Sequence, residues 1–114
     1  MSQPGVTFFE IKDIDRERAQ NARLYREFLR VPAMSAGLYV LPCGGNDPQK
    51  PHHEDELYYV VRGSARFKAG KPGEEEHRDV SAGSVIFVAG QVEHRFYDIT
   101  EELAVLVFFA PAES

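Results

Sequence analysis

Short apolar runs, each closed by glycine or proline, recur along most of this chain at intervals of roughly ten residues, which is the spacing of an all-β sandwich or barrel. Residues 34–41, 57–61, 85–88 and 103–110 are rich in β-branched, aromatic and aliphatic side chains. Pro42, Gly44-Gly45, Gly63-Ser64 and Gly83 punctuate them. Residues 65–69 alternate and read as a half-exposed strand, with a turn at Gly63-Ser64 before it. Residues 70–76 form a hairpin tip and 77–80 begin the return strand. Residues 85–88 are wholly apolar, so a buried strand is expected there. Residues 94–99 alternate His94, Phe96 and Asp98 against Arg95, Tyr97 and Ile99, and 103–110 read as a central strand that Pro111 closes.

Before residue 34 the pattern is different. Residues 1–5 read as a loose end. Residues 6–11 have strand composition with apolar side chains on both faces, which suggests cover from both sides and, on one of them, a partner subunit. Residues 13–30 are rich in Arg, Glu, Gln and Ala and predict a helix, with Asp15 as its cap and Pro32 as its end. On that helix Ala22, Tyr25, Phe28 and Leu29 would share the packed face. The expected organisation is residues 1–33 as a strand and helix packed on a barrel of residues 34–112.

One stretch concentrates chemistry. Lys50-Pro51-His52-His53-Glu54-Asp55-Glu56 places two histidines and three carboxylates just ahead of the 57–61 strand. Imidazole beside carboxylate is a ligand set for borderline divalent metals. A second apolar strand, a turn and His94 lie further on. The two pieces read as halves of one metal pocket.

Other classes are disfavoured. The chain has 114 residues, enough for one core, and its net charge of −5 argues against a nucleic-acid partner. Its single cysteine, Cys43, forms no internal disulfide and fits a reducing compartment. No run is long and apolar enough to span a bilayer and the start lacks a secretion signal, so a cytoplasmic protein without membrane contact is expected.

The two chemical pieces resemble the two motifs of the cupin superfamily. On the first motif, Gly44, His52, Glu56 and Gly63 occupy their expected places, while Lys50 stands where the first metal-binding histidine is usual. On the second, Gly83 and His94 occupy theirs. There Ala89-Gly90-Gln91 replaces the usual turn and Asp98 replaces an asparagine. The resemblance covers about the last two-thirds of the chain. It implies a double-stranded β-helix, a jelly-roll barrel with an open mouth, holding one divalent ion: Fe, Mn, Ni or Zn. His52, Glu56 and His94 would be its ligands. His52 shares strand parity with Glu56, so both would point into the barrel and His53 out.

With Lys50 unable to ligate a cation, three outcomes stand open. The site has three protein ligands, or Gln49 swings in as a fourth through its amide oxygen, or His53 joins through a bulge. Gln49 is preferred to His53, which would have to change face. Tyr58 shares the inward parity, and Glu54 and Tyr58 are the candidates for a general base. The last strand is apolar on both faces, so the cavity walls should suit an organic molecule. The resemblance thus implies a metal-binding cupin, a non-haem oxygenase or isomerase of a small organic substrate, working as a homodimer. The alternative is a non-catalytic module that binds a small molecule or sugar.

Overall fold

The computed structural model describes residues 5–114. One helix, α1 (Ile11–Gln20), precedes six strands: β1 (Tyr25–Val31), β2 (Met34–Leu41), β3 (Asp55–Ala69), β4 (Glu76–Ser81), β5 (Val85–Val88) and β6 (His94–Ala110). The strands form one antiparallel sheet in the order β1-β2-β6-β3-β4, with β5 also paired to β3.

The long strands β3 and β6 make this sheet close on itself. The first part of β3 lies between β6 and β5, and the last part lies between β6 and β4. Between them the β3–β6 register shifts at Val60–Arg62, Arg62–Ser64 and Ser64–Arg66. Such bulges bend a strand and increase its twist. Gly63 sits in this bend with φ +92°, and a Cβ there would collide with the Glu102 carbonyl. Tyr58 and Val60 before the bend and Ala65 and Phe67 after it pack in one core with Phe96, Val105, Val107 and Phe109. The all-β jelly-roll expectation is therefore met.

Several local expectations are corrected. Gly63-Ser64 is not a turn between two strands but a bend within β3, because the β6 backbone keeps pairing across it. Residues 94–99 and 103–110 likewise belong to the single strand β6. Asp98 adopts φ +47°, and the alternation breaks there, so that Asp98 is exposed and Ile99 buried. The strand β5 is buried on one face only: Val88 lies in the core, while Val85 is 62% and Phe87 64% exposed. Its pairing with β3 leaves their outer side chains without a covering layer.

The N-terminal part departs most. Residues 6–10 are extended but form no strand, and Val6, Phe8 and Phe9 are exposed. The helix starts at Ile11, with Glu10 in the N-cap place and no side-chain cap; Asp15 lies within the helix. It ends at Asn21, and Ala22 takes φ +53°. What was expected as the second half of the helix is strand β1, which pairs with β2 from Tyr25↔Tyr39 to Val31↔Met34. Helix propensity differs little among these residues, and an available sheet edge outweighs it. Ala22, Tyr25, Phe28 and Leu29 thus do not form a helical face.

Helix α1 covers the outer face of the sheet. Ile14 packs with Leu38, Val40 and Ala104, flanked by Ile11, Phe28, Val61 and Leu106. Full burial of an aliphatic side chain such as Ile14 stabilises by about 1.5–3 kcal/mol. Asp15 fixes the helix to the barrel through Arg62 at 3.0 Å, and Arg62 also reaches Glu102 at 2.7 Å.

Candidate functional site

The inward row of β3 begins with Glu56 and Tyr58, both buried, alternating with exposed Asp55, Leu57 and Tyr59, and buried Glu54 just precedes it. Beside it, β6 opens with His94. The register Ala69↔His94 and Glu56↔Phe109 shows that Glu56 and His94 lie at opposite ends of the β3–β6 ladder. Closure of the sheet nevertheless brings His94 Nε2 to 3.1 Å from Glu56 Oε1, with each side chain 1% exposed.

His94 is oriented by its other nitrogen, which donates to the Val92 carbonyl at 2.9 Å. A carbonyl only accepts, so Nδ1 carries the proton and Nε2 is the atom presented inward. Burial lowers the His94 pKa, but Glu56, the Val92 carbonyl and Asp47 raise it by more, so the net shift is upward. The Tyr58 hydroxyl lies 2.9 Å from the same Nε2. Burial, and then the Glu56 charge, push the Tyr58 pKa well up, so it stays a neutral phenol. Apart from the approach of His94, both buried oxygens of Glu56 lack a hydrogen-bond partner.

Gln49 and Asp47 form the next layer. Gln49 Nε2 donates to Tyr58 at 2.7 Å and to Asp47 Oδ2 at 3.1 Å. The acceptor-only Asp47 carboxylate fixes the nitrogen on that side, leaving the amide oxygen to meet a ligand or cation. Asp47 is itself buried and also accepts from Tyr39 (2.6 Å), the Gln49 amide (3.1 Å) and the Phe96 amide (3.0 Å). The sequence reading missed Asp47, which between Asn46 and Pro48 looks like an ordinary turn residue.

His52 precedes β3 and faces the cavity beside Phe109, as parity implies, but its partner is a different one. Its Nδ1 lies 3.0 Å from Glu113 Oε2, and its ring packs edge-on against Phe109 at 4.7 Å between centroids. Glu113 is the second residue the sequence did not reveal, because its approach comes from the C-terminal segment. There, its backbone amide donates to Ser35 at 2.9 Å and its carbonyl accepts from Arg30 at 2.7 Å. His53 is exposed and contacts Gln91. Glu54 is turned to Ser114. Lys50 is exposed.

The residues test a metal as follows. Among the described residues no group of three or more His, Cys, Asp and Glu side chains converges as a metal site. Glu56 and His94 do converge, and a buried carboxylate with unbonded oxygens beside an imidazole nitrogen is a donor pair that suits a divalent cation. Gln49 lies one hydrogen bond away through Tyr58, while His52 is held by Glu113.

Two cavities meet at Gln49. One, of about 280 Å³, is walled by Leu24, Tyr25, Tyr39, Val107 and Phe109, with His52 and Glu113 at its polar side. A side chain at Gly37 would collide with the Tyr25 ring, so Gly37 allows that ring its place in the wall. Val105, Val107 and Phe109 are thus the inward set of the last strand. The other cavity, of about 320 Å³, has Lys50, Lys68, Arg95 and His94 in its lining. Phe87 lies on the exposed outer face.

Comparison with known proteins matches the cupin domain family over residues 37–110. The uncharacterized protein SCO3923 of Streptomyces coelicolor is 45% identical over 106 residues, covering 93% of this chain and 97% of that one. A cupin 2 conserved barrel domain protein of Rhodopseudomonas palustris superposes with a TM-score of 0.67 at 18% identity, covering 79% of this chain; this chain spans 61% of that one. The iron(II) form of HppE superposes at 0.64 with 15% identity, over 77% of this chain and 52% of that one. At such identities the two superpositions show the fold, a double-stranded β-helix barrel.

Proposed function

We propose a function from one premise: the chain belongs to the cupin domain family. The barrel holds one divalent metal ion, Fe, Mn, Ni or Zn, on Glu56 and His94, and a small organic molecule binds beside it. The observation that carries this is the Glu56 carboxylate: fully buried, with neither oxygen hydrogen-bonded, and facing a histidine nitrogen. Burying a carboxylate with a single imidazole as its close polar neighbour is costly, and a cation held by Glu56 and His94 would offset that cost. Gln49 would add its amide oxygen, and His52 would complete the set on leaving Glu113. Support for a metal on this fold comes from HppE, whose structure is of its iron(II) form.

When bound, such a metal supplies Lewis-acid polarisation of a substrate oxygen or, as iron, oxygenase chemistry. The chain's own residues do the rest. Val92 fixes the His94 tautomer, Asp47 and Tyr58 hold Gln49, and the apolar wall of Val107 and Phe109 keeps water from an organic ligand. Titration with Mn(II) or Zn(II) in a calorimeter tests this. One site per chain is expected for the wild type and none for His94→Ala; equal binding by both removes His94 from the site.

The second reading is a binding module without turnover. It is favoured by His52, whose engagement with Glu113 leaves the expected triad incomplete in this structure. It predicts weak or absent metal binding with ligand binding retained.

The protein would work as a homodimer in the cytoplasm. Exposed Leu57, Tyr59, Val85 and Phe87 pair across β3 and β5 as Leu57↔Phe87 and Tyr59↔Val85, forming one apolar patch. Val6 and Phe8, exposed in this chain, would cover it from a second copy. Light scattering that gives a monomer mass would exclude the dimer.

A further inference from the structure

We propose that the ligand of this barrel is a small organic carboxylate, recruited at a basic opening formed by Lys50, Lys68 and Arg95. The proposal rests on the barrel being a ligand site and adds the chemical class of the ligand.

These three side chains come from separate places: the segment before β3, the end of β3 and the start of β6. The register Lys68↔Arg95 sets two of them directly opposite one another across the β3–β6 ladder. All three line the cavity of about 320 Å³ that Gln49 and the buried His94 also border. Like charges opposite each other in a sheet repel, so the arrangement is unfavourable unless an anion is nearby. Two acids, Glu75 and Glu93, line the same cavity. Glu75 accepts from the Gly73 amide at 2.9 Å and keeps its charge, so the lining has three cations against two carboxylates and is positive on balance. Among the described residues none of the three cations forms an ion pair with any carboxylate. Lys68 instead rests over the Tyr97 ring at 5.7 Å.

The opening is therefore positive within a chain of net charge −5. A cleft of one sign raises the local concentration of ligands of the other, and an arginine with lysines suits a carboxylate. An apolar cavity of about 150 Å³ already holds benzene, so this one has room for a single ring with its carboxylate. The location also gives Lys50 a role. It replaces a histidine of the family motif, cannot ligate a metal, and stands instead in the lining of the cavity that His94 borders. The inner residues Glu56 and Asp47 are negative, so an anion without a metal beneath it would stop at this lining.

The test uses benzoate and its neutral isostere benzamide, titrated into the full chain by ligand-detected NMR at low ionic strength. Benzoate is expected to bind at least tenfold more tightly than benzamide, and raising the salt to 0.5 M should erase most of that difference. The Lys50→Gln/Lys68→Gln/Arg95→Gln variant should reduce the preference below twofold while benzamide binding and the circular dichroism spectrum stay the same. Lys50→Arg should retain it. No preference in the wild type, or the same preference in the triple variant, overturns the proposal. Metal content measured on the same samples separates this from the metal assignment. A lysine-dependent preference in protein that takes up no metal sustains the carboxylate and removes the metal. One metal per chain with no preference does the reverse.

Discussion

Glu56 and His94 meet at 3.1 Å although they start opposite ends of the β3–β6 ladder, and both are shut off from solvent. The contact exists only because β3 bends at Gly63 and brings its two halves over one core. Each residue is the other's nearest charge complement, so removing either should silence the metal response. In the wild type, a metal at a hundred times its dissociation constant should add about 2.7 kcal/mol of stability, read as a rise in melting temperature. Glu56→Ala and His94→Ala should show no rise. A rise in Glu56→Ala equal to that of the wild type would place the metal elsewhere.

Glu113 holds His52 at 3.0 Å and would compete for it with the proposed metal site. Replacing Glu113 with Ala frees the imidazole, and metal affinity should increase by about tenfold, the low end of what an outer partner of a ligand is worth. Calorimetric titration of the variant beside the wild type measures this. Weaker binding in Glu113→Ala would mean that Glu113 itself supports the metal.

Asp47 accepts four hydrogen bonds from Tyr39, Gln49 and Phe96 within the barrel. Asp47→Ala leaves several buried donors unpaired, each at about 1–3 kcal/mol. A loss of about 3 kcal/mol in urea unfolding is expected, with metal affinity reduced as Gln49 loosens. A loss below about 1 kcal/mol would show that water replaces the carboxylate.

Acid should loosen α1 from the barrel. Burial raises the Asp15 pKa, the Arg18 and Arg62 interactions lower it by more, and the net shift is down. A carboxylate depressed in the folded state adds stability above its unfolded value, about 3.9, and loses it as the pH falls through the lower folded value. Asp15→Asn should therefore be less stable than the wild type at pH 7, by about 1 kcal/mol or less for this partly exposed pair. The gap should close below about pH 4. Urea unfolding of both proteins at pH 7 and pH 3 checks it; a gap as large at pH 3 as at pH 7 would show that the carboxylate charge is not its source.

The parts of the fold fixed by strong local pattern were legible. The strand Met34–Leu41, the hairpin tip after Gly70 and the strand Val85–Val88 could be read from apolar runs and breakers. Gly63 was legible as a backbone position but not as a bend, because a turn and a bulge ask for the same glycine. Residues 25–31 could not be read locally: Tyr-Arg-Glu-Phe-Leu-Arg-Val tolerates helix or strand, and only the edge of β2 decides. Within the site, Glu56 and Tyr58 followed from strand parity and His94 from the second motif. His52 faces the cavity beside Phe109 as parity implies, but its pairing with Glu113 could not be read. Asp47 and Glu113 act through contacts across 49 and 61 residues of sequence, to Phe96 and His52, for which no local signal exists.

The most direct measurement is the metal content of untagged protein purified without chelator, by plasma mass spectrometry. About one Fe, Mn, Ni or Zn per chain is expected, lost in His94→Ala. Protein that carries no metal, and takes up none when each ion is added back, would contradict it and leave the barrel a binding module.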